Sequence, residues 1–333
     1  MTLISMLIAL IIERLAVRSK GWQLSTYMRP LLHLSSKAPL LGLSRHPYGV
    51  LLWWLLPAIV LQLGLIAVNF WLFDLLASTV VLLVCIGSWH YRKSYKQYLN
   101  AAGRQDNEAA FLTMQQMAND QGINNQELTH GQQLVWINFK YYAAVLFWYT
   151  LLGAFGAVAY ACLRQLAEPN TYSLHTGTDQ VDVVREEESE VELHAESIEP
   201  RAAKATAEIP SDEIVADEIV AHEIVADELA HYWQGFATDL CHWAEWLPIR
   251  IFGLGLALVG HFSRASGVLL SYLGDTKTSG LQVYTDIARA AEPLPEEALN
   301  CSDESCSLVQ LAKRNVLFFL ALVAVLTLGG WLS

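Results

Sequence analysis

Long apolar runs separated by short stretches dense in charge dominate the pattern along this chain. Tyr48–Val68 is 21 residues without a charge, and Phe70–Trp89 is 20 residues interrupted only by Asp74. Tyr141–Leu163 is 23 uncharged residues, and Asn315–Ser333 is 19. At about 1.5 Å of rise per residue, roughly 20 helical residues cross a hydrocarbon core of about 30 Å. Buried helices of a water-soluble core would need polar residues at helical spacing along one face, and these runs lack them. They predict transmembrane helices over 48–68, 70–89, 141–163 and 315–333. Pro57 fits such a helix, because neighbouring helices satisfy the carbonyl that a proline frees. Trp71, Trp89, Trp136 and Trp331 fall near the segment ends, where indole rings suit the headgroup zone.

Two segments are less plain. Leu3–Val17 is apolar but carries Glu13–Arg14 near its end. It lacks the basic start and small-residue cleavage site of a signal peptide, so it reads as a first membrane helix, 3–17. Ile251–Ser263 is 13 residues bounded by Arg250 and Arg264, a length that suits a short, re-entrant or interfacial helix. Lys and Arg in short loops set orientation. Arg18, Lys20, Arg29, Lys37 and Arg45 precede Tyr48, and Arg92, Lys93, Lys96 and Arg104 follow Trp89. Both loops are therefore expected in the cytoplasm, with the tip of the 48–89 hairpin at Asn69 outside. The crossing at 141–163 then places the residues after Leu163 outside as well.

Composition sharpens this picture in one place. The chain is 53% hydrophobic and only 16% charged, against about 25% charged in ordinary soluble domains. Its formal net charge is −12, yet residues 166–232 alone carry −15 and the remainder +3. The acidic stretch holds four near-copies of a five-residue unit: Asp212–Ala216, Asp217–Ala221, His222–Ala226 and the truncated Asp227–Ala230. A five-residue period advances about 140° per unit on a helix, so the aliphatic pairs wind around it without forming one stripe. The expectation is an all-α, polytopic transmembrane bundle with a disordered or partly helical acidic tether. Its parts are an N-terminal membrane region, 1–165, with a cytoplasmic loop at 90–140, the tether at 166–232, and a C-terminal region at 233–333. The bilayer is the implied partner, and without a clustered basic surface nucleic acid is not.

Candidate chemistry is sparse. His222–Glu223 lacks the second histidine four positions on that a zinc-protease helix requires, and Cys301 and Cys306 have no partner ligands nearby, so no metal site is expected. Gly253 and Gly255 lie among leucines, where they allow close helix approach rather than a phosphate loop. Ionisable residues at membrane depth mark a pathway or site more often, which singles out Glu13, Arg14 and Asp74. Outside the membrane runs, Arg104, Asp106, Asn138, Arg250, Asp275 and Lys277 form a polar set that a single ligand pocket would draw together. Tyr91, Tyr95 and Tyr98 would share one helix face.

Several pieces together resemble a known family. They are Glu13–Leu15, Tyr98–Leu99 with Gly103–Asp106, Leu134–Tyr142, Leu146–Trp148, Trp246–Arg250 and Leu273–Asp275, in order along the chain and outside the acidic insert. This set is similar to the AmpE family of inner-membrane regulatory proteins linked to β-lactamase induction, and more distantly to the CobD/CbiB membrane synthases of cobalamin biosynthesis. Gly103–Asp106 resembles the Gly-Arg-Asp-Thr motif of those synthases, and Leu247–Arg250 their Pro-Ala-Arg motif. Of their Glu-Asn-x-x-Asp motif only Asn138 remains, with Ile137 and Tyr141 where the carboxylates stand. The resemblance therefore implies signalling in the response to β-lactams or cell-wall stress rather than catalysis. The opposing readings are a membrane synthase acting on phosphate-containing substrates, or a transporter. It also implies regulatory or cell-wall-recycling proteins as partners and a nucleotide as a cofactor, although no nucleotide motif stands in the sequence.

Overall fold

The computed structural model describes residues 2–15, 24, 26–27, 47–68, 70–123, 128–168, 213–292 and 301–331. The described residues form helices and no strand. In chain order these are α1 (Thr2–Leu15), α2 (Pro47–Val68), α3 (Trp71–Ile86), α4 (Trp89–Gly103), α5 (Asn107–Asp120) and α6 (His130–Asn138). A π-helical turn, Phe139–Ala143, leads into α7 (Ala144–Ala167). There follow α8 (Glu213–Val259), α9 (Phe262–Tyr272), α10 (Gly280–Ala291) and α11 (Cys301–Leu328).

Local chemistry sets many of the ends. Pro47 opens α2, in the first turn where a backbone N–H has no partner within the helix. Asp106 caps α5 by accepting from the Ala109 N–H at 3.0 Å. Thr129 and Gln132 make a reciprocal capping box at α6. Ser279 accepts from Gln282 N–H to start α10. Gly87 and Ser88 interrupt the chain between α3 and α4, which meet at a bend of 47°. Gly153 breaks α7 with φ 64° and ψ −149°, a combination that side chains forbid.

Among the described residues, two helical stretches are long and apolar enough to cross a membrane, His130–Ala167 (38 residues) and Glu304–Leu328 (25 residues). The bent pair α3–α4 makes a third if it is one span. Their outer faces carry Leu151, Val325 and Leu328, each more than half exposed, as suits hydrocarbon. α7 is the hub: it packs on α1, α2, α3 and α8, while α8 also packs on α9, α10 and α11. Ile251–Val259 is the last part of the long α8, Gly260 and His261 make the turn after it, and Phe262 and Ser263 begin α9. Gly255 of α8 lies against Asn315 of α11, whose side-chain amide donates to Phe252 O at 2.9 Å. A smaller cluster of Tyr91, Tyr98, Met114, Met117, Leu134 and Ile137 fastens α4 and α5 to α6. Helix α8 begins within the acidic repeat at Glu213, and residues 169–212 of the insert lie outside the described residues.

Candidate functional site

Glu13 occupies the last turn of α1 and is only 5% exposed, so its charge needs partners. Arg92, one turn into α4, donates to its carboxylate at 2.9 Å and to its backbone carbonyl at 3.2 Å. The Tyr142 hydroxyl donates to the same carboxylate at 2.8 Å and lies 2.8 Å from the hydroxyl of Ser88, at the α3–α4 break. This chain of bonds ties α1, the bend and the π-helical turn together. A cavity of about 420 Å³ adjoins it. Arg14, Arg92, Lys313 and Asn138 line its polar side, and Leu10, Val316, Leu317 and Leu320 line its apolar side. Three cations therefore face one carboxylate, and that carboxylate is already paired.

The π-helical turn sends its adjacent tyrosines to different polar clusters. Tyr141 donates to Glu168 at 2.8 Å, and Gln121 donates to the same carboxylate oxygen at 3.1 Å and also to the Tyr91 hydroxyl. Arg164 is 1% exposed, donates to Lys140 O and Cys85 O at 3.1 Å each, and stacks its guanidinium 3.8 Å from the Tyr141 ring centre. Across the interface with α8, Glu245 accepts from the Tyr160 hydroxyl at 2.9 Å and is buried, as is Lys140. Both signs are thus represented in one desolvated layer, which is what tolerates charge in such a place.

The residues singled out from the sequence separate into four locations. Glu13, Arg14 and Asn138 meet at the cavity. Arg250 and Asp275 meet at the α9–α10 turn, where the Arg250 guanidinium donates to the Asp275, Tyr272 and Trp246 carbonyls and lies over the Trp246 ring. The Asp275 carboxylate accepts from the Thr278 hydroxyl and from the Lys277 and Thr278 N–H groups, and these bonds hold it below the ordinary aspartate range. Lys277 itself is exposed on that turn, so the group closes a loop. Arg104 and Asp106 lie exposed between α4 and α5, where Asp106 is the helix cap. Asp74 is exposed and borders a smaller cavity, of about 180 Å³, with Ser5, Ser78 and Tyr149. Among the described residues no hydrogen bond or ion pair joins these four groups, and no cluster of His, Cys, Asp and Glu is disposed to hold a metal.

Sequence reasoning missed Arg92, Lys313, Arg164, Glu168 and Glu245. Arg92 read as a loop charge that orients the helices, while Lys313 and Arg164 each stand just outside an uncharged run, 315–333 and 141–163. One signal was available: Tyr141 and Tyr142 follow Lys140 within a stretch the family resemblance already marked.

Fold and site together define an all-α protein with helices fit to cross a membrane and a mostly apolar cavity that carries cations at one end. The chain belongs to the family of the regulatory signalling modulator protein AmpE, whose model matches residues 1–180 and 230–333. It is similar to Protein AmpE of Shigella flexneri, with 27% identity over 352 aligned residues that cover 99% of each chain. No solved structure matches it.

Proposed function

We propose that this regulatory signalling protein acts from the cell inner membrane in β-lactamase induction and the response to β-lactam or cell-wall stress. The observation that carries the reading is the end-to-end similarity to the AmpE family, which leaves out only a central stretch, residues 181–229. The cavity beside Glu13 and Arg92 is where the signal is taken up. Its walls come from α1, α4, α5, α6 and α11, with Ser88 of the α3–α4 bend and Tyr142 of the π-helical turn, so an occupant bears on that bend and on both α1 and α11 at once. Regulatory or cell-wall-recycling proteins are the partners that would receive the change.

The test is a strain lacking the gene and carrying a β-lactam-inducible β-lactamase reporter. Deletion should change the induced level, the intact gene should restore it, and Glu13→Gln should restore it poorly although the protein inserts. An unchanged reporter after deletion overturns the reading. Growth rescue of a strain without its cobalamin synthase would overturn it in favour of the enzyme.

A further inference from the structure

We infer that the cavity takes an anionic amphiphile: a phosphate-bearing headgroup at Arg14, Arg92 and Lys313, with its alkyl chain against α1 and α11. The inference rests on the reading of this cavity as the signal site and names the chemistry of the signal.

The lining is ordered along both helices. On α11, Lys313, Leu317 and Leu320 fall at i, i+4 and i+7, which places them on one face with the cation at one end. On α1, Arg14 and Leu10 are one turn apart on a shared face, again with the cation at the end. The apolar wall thus extends one to two turns, about 5 to 10 Å, from the charged end. A free inorganic anion would use none of that wall, and a neutral hydrocarbon would leave the cations without a counter-charge.

The charge balance favours an anion. Glu13 is satisfied by Arg92 and Tyr142, while Arg14 and Lys313 have no hydrogen bond or ion pair among the described residues. Arg92 reaches Glu13 through Nη1 alone, which leaves its Nη2 and Nε protons for a second acceptor. The Asn138 side-chain amide, half-buried in the same wall, also has no hydrogen-bond partner among the described residues. A guanidinium fork with an ammonium beside it matches the oxygens of a phosphate monoester or diester. A volume of about 420 Å³ lies within the range of ordinary ligand sites.

The test uses the full-length protein in dodecyl maltoside, titrated with dodecyl phosphate and followed by calorimetry and native mass spectrometry. The detergent carries the same chain on a neutral headgroup, so binding against its excess isolates the phosphate. One equivalent of dodecyl phosphate is expected to bind saturably. Arg14→Gln and Lys313→Gln, both at exposed positions, should each weaken it about fivefold, and together about thirtyfold. Arg264→Gln, which lies on α9 outside the cavity, should leave it unchanged. Hexyl phosphate should bind about tenfold more weakly, since it leaves about two methylenes' length of the wall uncovered and each buried methylene contributes about 0.8 kcal/mol. The inference is overturned if the double variant binds like the parent, or if inorganic phosphate competes as well as the amphiphile, which would mark a free-anion site. Absence of saturable binding overturns it too, and in that case the reporter response in cells still decides the regulatory reading on its own. If the double variant does not fold, either single variant carries the comparison.

Discussion

At the scale of single residues, Arg164 decides how charge survives inside the bundle. Its guanidinium is almost fully buried between α7 and the α3 end, bonded to two carbonyls and stacked on Tyr141. Glu168, in turn, depends on Tyr141 and Gln121. Replacing Arg164 by glutamine removes the cation while the buried carboxylates remain, and leaves the Cys85 and Lys140 carbonyls short of a donor. Losing one partner from a buried charged set costs about 3–5 kcal/mol, so Arg164→Gln should sharply lower the thermal midpoint of the protein in detergent. Adding Glu168→Gln should recover part of the loss, because the orphaned charge then disappears. Equal midpoints for parent and single variant would mean that the layer contributes nothing to stability. The sequence could not reveal this residue. A basic side chain at the end of an apolar run has the pattern of an interfacial anchor, and only the packing of α3 and the π-helical turn against α7 takes it out of water.

At the scale of elements, the sequence was most legible where composition alone decides the outcome. Uncharged runs must be helical to satisfy their backbones in hydrocarbon, and 48–68 and 141–163 are helices α2 and most of α7. Gly253 and Gly255, read as a close-approach pair, do lie against Ile287 and Asn315 of neighbouring helices. The start of α11 was less legible. It begins at Cys301, before the apolar run, because Ser305, Leu308, Leu311 and Ala312 bury one face while polar residues cover the other. Breaks were invisible, since they answer to packing and not to periodicity. Gly153 is the sharpest case: its φ of 64° with ψ of −149° lies in a region that only glycine occupies. Gly153→Ala should therefore cost about 1–3 kcal/mol, seen as earlier unfolding in a dodecyl sulfate titration. A variant as resistant as the parent would show that α7 runs unbroken through this position.

At the scale of the whole molecule, the charge and the family likeness divide the chain along the same line. The net charge of −12 belongs to residues 166–232, and without them the chain is weakly basic at +3. The family model stops at 180 and resumes at 230, so the part that departs from the family falls within the part that holds the acid. The cavity draws nothing from it: the lining residues belong to α1, α4, α5, α6 and α11, with Ser88 and Tyr142 at the breaks between helices. Among the described side chains of α8, Ala237, Cys241 and Glu245 reach the buried layer. Helix α8 can therefore start after residue 229 and still deliver those side chains, and a chain lacking 181–229 keeps every group that builds the cavity. The expected outcome is that this deletion inserts normally, binds dodecyl phosphate like the parent, and restores reporter induction in the gene-deleted strain. Loss of induction with insertion and binding intact would assign the insert a part in signalling, as a contact for a partner that the cavity does not provide.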